Sequence, residues 1–286
     1  MNLNLNLNLN LNLNLKSKSN LTNKIKALAL KVFALLTLML FLSVRSFADN
    51  TPALISIVID DLGYNLSQGS QAIALPGALS FAILPHTPNA ITLAELAHQN
   101  GKEVILHAPM ENHSARPLGP GGLISSLDKQ TLIATLLHDL NSVPHIRGLN
   151  NHMGSRLTEM QQPMGWIMEQ LHARNLFFID SKTSAESIAE QTAHQYRVPA
   201  MARDIFLDHE QTTEFLHQQF KKLITIAKQR GHALAIGHPY PVTIEYLRMA
   251  IPRLNKQEVI LVPASQVLLV SEEKRITNKI RTAAFF

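Results

Sequence analysis

Carboxylates and imidazoles recur where short apolar runs of this chain stop. Leu54–Asp60 runs into Asp61, Leu79–Leu84 leads to Pro85-His86, and Glu103–His107 ends in a histidine with Glu111 close behind. His145–Asn150 is followed by Asn151-His152, Leu176–Asp180 by Ser181, Val198–Ala202 by Arg203-Asp204, and Ala233–Gly237 by His238. Any one of these is innocent alone. A lone strand-end histidine is usually a hydrogen-bonded structural residue, and an aspartate there often caps the next helix. Several delivered to one rim describe a functional site. The chain has no cysteine, which excludes thiolate zinc sites, Fe–S clusters, disulfides and a cysteine nucleophile. Carboxylate plus imidazole suits a catalytic divalent ion, Zn²⁺ first and another first-row metal second. Such an ion lowers the pKa of a bound water from about 15.7 toward about 7. An adjacent carboxylate then takes the proton. The Asp60-Asp61 pair offers one group for each task; its bland reading is a turn or helix cap, which Leu62-Gly63-Tyr64 also permits.

The elements that position these residues read as alternating strands and helices. The apolar, β-branched runs carry the signature of buried parallel strands. Glu258–Val262 is a further one. Helical spacing spans Asn89 to Gln99, Asp128 to Leu140, Pro163 to Ala173, Ser187 to Tyr196 and Thr212 to Arg230. Asp128 is an N-cap candidate, Thr183–Glu186 matches a capping box, and Gly101 and Gly231 are C-cap candidates. Alternation of this kind implies right-handed parallel βα units. The expected fold is α/β, a deformed barrel of seven or eight βα units, with a doubly wound open sheet as the alternative. In both, the site lies beyond the strand C-termini. His98, His138, His172, His194 and His217 fall on helical segments and are expected to face solvent or helix ends. His113 and the loop Pro117–Gly122 are expected to cover the rim. No glycine-rich phosphate loop follows the first strand and no G-x-S-x-G elbow occurs, so neither a nucleotide nor a serine triad has motif support.

The charge is unevenly placed. The formal charge is +5, yet residues 1–48 hold six basic side chains and no acid. The remainder is close to neutral, which argues against a nucleic-acid-binding body. Seven Asn-Leu pairs follow Met1 as a low-complexity leader. Val32–Val44 is apolar but short of the roughly 20 residues of a membrane span. Small residues at Ser46 and Ala48 then complete a secretory signal. The expected organisation is a leader and signal over 1–48, a barrel over 49–265 and a C-terminal tail over 266–286, frayed and solvated from Ser271. The expected location is the periplasm, with membrane attachment only through an uncleaved signal.

Five motifs carry a family resemblance: IVIDDLGY (57–64), LHAPME (106–111), NNHMGS (150–155), FFIDSKTS (177–184) and IGHPYP (236–241). Together they resemble the divergent polysaccharide deacetylase family, a branch of the carbohydrate esterase superfamily with the NodB-like deformed (β/α) barrel. The resemblance implies a metal-dependent N-deacetylase acting on acetylated amino sugars of a polysaccharide or peptidoglycan-type glycan. It implies Asp60 as base, Asp61 and His107 as metal ligands, and His238 as general acid. Glu111 stands where the second motif has its second histidine, so His152 is the preferred third ligand. Asp180 resembles the acidic residue of the fourth motif. Asn151 and Glu111 are additional candidates, and Arg156 or Arg203 would replace the arginine that orients a carboxylate.

Two classes of function follow. One is an exported metal-dependent deacetylase. The other is a non-catalytic glycan- or partner-binding protein on the same scaffold, for which the altered motifs and the single Trp speak. Tyr64 and Tyr240 are the expected sugar-stacking platforms.

Overall fold

The structure is a computed structural model that describes residue 26 and residues 28–33 near the N-terminus, and residues 52–283 apart from the side chains of 255–257 and 283. The Asn-Leu leader, most of the apolar run Val32–Val44 and the expected cleavage site lie outside the described residues. The chain divides into two units, Met1–Thr51 and Pro52–Phe286. In the first, residues 28–33 are helical. Among the described residues, no helix is long and apolar enough to cross a membrane.

The second unit is built on parallel strands. They are β1 (Ala53–Leu62), β2 (Ser80–Ile83), β3 (Glu103–Met110), β4 (Ile146–Met153), β5 (Phe177–Asp180), β6 (Ala200–Ala202), β7 (Ile205–Phe206), β8 (His232–Gly237) and β9 (Val259–Leu261). Eight follow one path in the order β6-β5-β4-β3-β2-β1-β8-β7. The N-terminal half of β1 pairs with β9 and its C-terminal half with β2, so β9 fills the sheet where β2 is absent. The path's two ends, β6 and β7, are joined through Arg203 and Asp204 alone. Three residue steps from Ala202 to Ile205 reach at most about 11 Å. The two edges therefore meet, and the sheet is curled into a nearly closed barrel, not an open doubly wound sheet.

Among the described residues, eight α-helices wrap it: α1 (Leu66–Ile73), α2 (Ala90–Gln99), α3 (Lys129–Ser142), α4 (Gln161–Ala173), α5 (Ala189–Gln195), α6 (Thr213–Arg230), α7 (Pro241–Ala250) and α8 (Ala264–Ala283). Their starts follow from local chemistry. Asp128 accepts a bond from Thr131 N at 2.8 Å and Thr212 accepts one from Phe215 N at 3.2 Å. Gly231 ends α6 in the left-handed region at φ 86°, where glycine carries no Cβ penalty. The capping box expected at Thr183–Glu186 does not start α5. The Thr183 hydroxyl, its capping group, donates to Met153 O at 2.8 Å instead, and the helix begins at Ala189 behind Ile188.

Strand alternation sorts the core into two layers. Ile55, Ile57 and Ile59 of β1 pack outward against helices, while Val58 faces inward with Ala82, Ile105, Ile179, Leu234 and Ile236. Ala264, Val267 and Leu268 of α8 join that inner cluster and close the floor of the barrel. The floor is pinned where Ala264 N donates to Ser80 Oγ at 2.9 Å and Ser265 N to Glu103 at 3.2 Å. The segment expected as a frayed tail is thus a helix. Beyond Ser271 most of its side chains are exposed, although Glu272 still pairs with His194 at 3.2 Å.

Candidate active site

The polar residues occupy the other end of the same inward-facing columns. Asp60 continues the Val58 column, His107 follows Ile105, and His238 follows Ile236. Regular alternation would send Asp61 to the opposite face from Asp60. The β1 register breaks between Ile59 and Leu62, and Asp61 takes a left-handed φ of 61°. That distortion turns both carboxylates toward the rim. Met153 at the end of β4 and Lys182 after β5 have the same sign of φ, at 54° and 51°. Strained backbone of this kind concentrates at functional sites.

Three ligand atoms meet there. Asp61 Oδ1 lies 3.1 Å from His107 Nε2 and 2.9 Å from His152 Nδ1. The two imidazole nitrogens are 3.1 Å apart. Asp60 Oδ2 stands 3.6 Å from His107 Nε2, and His238 Nε2 stands 3.8 Å from Asp61 Oδ2. Asn150 fixes the geometry from behind. Its Oδ1 faces His107 Nδ1 at 2.7 Å and its Nδ2 donates to Asp60 Oδ1 at 2.9 Å. This second bond to each group sets the tautomer and ring orientation of His107.

The charges are strongly coupled. Burial raises Asp60 above the usual carboxylate range, against the pull of His107 and His238. Burial opposes ionisation of Asp61 too, but the imidazoles of His107 and His152 hold it well below that range. Burial would lower His107, yet Asp60 and Asp61 push it up to about 9. A cation is strongly favoured at this point, whether a proton or a metal.

The remaining candidates divide. Asp180 does not reach the cluster. Its oxygens accept from Lys182 N at 2.8 Å and from Ser187 Oγ at 2.7 Å, holding the loop after β5. Glu111 turns away, accepting from Ser125 N at 2.6 Å and pairing with Arg156 at 3.3 Å. Asn151 accepts from Ser181 N and donates to Met153 O, shaping the rim backbone. Arg203 donates to Ser181 O and Lys182 O, stacks over Phe206 at 4.9 Å and feels the charge of Asp60. One participant had no sequence signal. Asp208, just past the two-residue β7, is buried and accepts from His238 Nδ1 at 2.9 Å, His238 N at 2.6 Å and Thr243 Oγ1 at 2.8 Å. It raises His238 against the effect of burial.

The cluster opens into a groove of about 860 Å³ whose walls include Arg116, Lys182, Arg203, Phe206 and Phe215. Phe206 and Phe215 are its aromatic surfaces. Tyr64 is exposed, and Tyr240 stacks on His238 with centroids 5.3 Å apart.

Residues 57–268 match the sequence profile of the divergent polysaccharide deacetylases. The chain belongs to that family. It is 36% identical over 214 residues to the uncharacterized protein YibQ of Escherichia coli (strain K12), covering 75% of this chain and 67% of that one. An uncharacterized protein of Haemophilus influenzae is 34% identical over 256 residues, covering 85% of this chain and 90% of its own. The fold is shared with an uncharacterized protein of Agrobacterium tumefaciens C58, with a TM-score of 0.72 at 22% identity, covering 75% of this chain and 89% of that one. As a member of the divergent polysaccharide deacetylase family, the chain has a curled parallel barrel, and its own acidic and imidazole groups lie at the strand ends.

Proposed function

We propose that the protein is an exported, metal-dependent N-deacetylase of an envelope glycan. The observation that carries this reading is the convergence of Asp61, His107 and His152 beside the buried Asp60 and facing His238. The donor set fits a divalent ion. Asp61 Oδ1 is buried and makes no well-directed hydrogen bond, although two imidazole nitrogens lie within 3.1 Å of it. Nitrogen and oxygen donors of this kind favour Zn²⁺. A bound ion supplies a Lewis acid and lowers the pKa of a nearby water.

The chain's own groups supply the rest. Asp60, steadied by Asn150, accepts the proton that the attacking water gives up. His238, oriented through Asp208, donates a proton to the departing nitrogen. The C–N bond breaks, and acetate and a free amine leave. The groove aligns the sugar, with Phe206 and Phe215 offering apolar faces and the basic residues offering donors.

The test uses protein purified after expression of the full chain. Acetate release from N-acetylglucosamine oligomers and from peptidoglycan is expected, lost on chelation and restored by zinc. Asp60→Asn is expected to lower kcat by about 10²–10⁴ with zinc retained. His107→Ala and His152→Ala are expected to lower zinc content, and if neither does, the coordination is wrong. Zinc retained with no acetate from a broad glycan panel supports a glycan-binding role instead. Export is read from the basic, apolar and small-residue order of the N-terminus; a mature periplasmic form beginning at Asp49 supports it.

A further inference from the structure

A second group of ligand-type side chains lies outside the site just described. His86 follows β2, and His138 and Asp139 sit on α3. One ligand atom from each of the three lies within 4.8 Å of the others. His86 Nε2 is 2.8 Å from Asp139 Oδ1, and the rings of His86 and His138 stack with centroids 4.2 Å apart. Asp139 is fully buried, and its Oδ2 has no hydrogen-bond partner. A buried carboxylate oxygen without a partner is costly. The space around this one is also shaped. Gly121, at φ 78°, lies over the carboxylate so closely that a Cβ there would come within 2.8 Å of Oδ2. His138 is exposed, as the sequence alone reads it, and its ring nevertheless stacks on His86.

We propose that His86, His138 and Asp139 form a second divalent-metal site, suited to Zn²⁺, that ties the loop after β2 to α3 beneath the glycine loop 117–122. Two imidazoles and one carboxylate are a recurrent three-residue zinc donor set that leaves a position for water. Side-chain exposure of 22% at His86, with His138 also exposed, gives an ion a route in. Asp139 supplies the negative charge, and the ion satisfies its unpaired oxygen. The site shares no residue with the deacetylase cluster, so it stands whether or not that reading holds.

The experiment counts zinc on metal-stripped, zinc-reloaded protein made from the full chain, with thermal melting as the second readout. The wild type is expected to hold about two equivalents, one per triad. His138→Ala is expected to hold about one, and His152→Ala about one. The pair together is expected to hold none. In the His107→Ala/His152→Ala background, zinc is expected still to raise the melting temperature, and adding His138→Ala is expected to erase that shift. His138 is exposed, so its variant tests the site without threatening the fold; Asp139→Asn is the second variant. A wild type holding one zinc that His152→Ala abolishes overturns the second site and leaves the first intact. Zinc that persists in His138→Ala and Asp139→Asn at the wild-type count overturns it as well.

Discussion

Asp61 shows how much one backbone angle decides. In a regular strand Asp60 and Asp61 point to opposite faces, and one of them is lost to the site. The left-handed turn at Asp61 lets one strand end deliver a buried carboxylate and a more exposed one to the same cavity. Asp208 works on the opposite wall. Three bonds hold its carboxylate, two of them to His238. Asp208→Asn keeps the shape and loses the charge that orients His238 and favours its protonated form. The expected result is a fall in kcat of about 10²-fold or more, with KM and zinc content little changed. A variant that loses zinc or fails to fold instead would show Asp208 to be structural. Asp60, Asp61, His107, His152 and His238 were visible in the sequence because each follows an apolar run. Asp208 was not, because β7 is two residues long and leaves no pattern to read.

At the scale of elements, long periodic segments were legible and short ones were not. The α3 and α6 helices start where their N-caps predict and α6 stops at Gly231, since Asp128, Thr212 and Gly231 act through their own backbone neighbours, whereas α3 runs on past Leu140 to Ser142. The eight-residue α1 escaped because Gly69 and polar residues dilute its apolar face, and α7 because Pro239 and Pro241 read as loop. The capping box failed because a more distant partner, Met153 O, claimed the Thr183 hydroxyl. Tertiary competition of this kind cannot be read from local spacing. The same holds for α8, whose charged second half hides the apolar turn that plugs the barrel. Leu268 is 1% exposed at that floor. Leu268→Ala is expected to destabilise the protein by about 2–5 kcal/mol in urea unfolding. Leu269→Ala, on the exposed side of the same turn, is expected to change stability by less than about 0.5 kcal/mol. Equal small effects at both positions would mean that α8 does not close the floor.

For the whole molecule, the curled sheet creates two ends of opposite character, a polar rim and a sealed floor. The floor carries its own titration. His232 opens β8 there and is 5% exposed, between Arg230 and Lys274. Burial, then those two cations, push its imidazole down to about 4, with Asp204 pulling weakly the other way. A histidine that the folded state keeps neutral takes up a proton more readily once unfolded. Between about pH 6.5 and pH 4 the unfolded chain therefore binds more protons, and stability rises with pH across that window. Above it, both states are neutral and the contribution is flat. The loss on acidification to pH 4 is expected to be about 1–2 kcal/mol, less than the full shift implies because solvent screens the exposed Arg230 and Lys274 side chains. His232→Gln removes the titrating group and keeps a polar side chain. Urea unfolding of both proteins from pH 7 to pH 4 gives a difference curve in which other carboxylates and histidines cancel. That curve is expected to be level above pH 6.5 and to fall below it, the wild type losing the greater stability. A flat difference curve would mean that His232 takes up its proton in the folded protein, with the two cations swinging away from the floor.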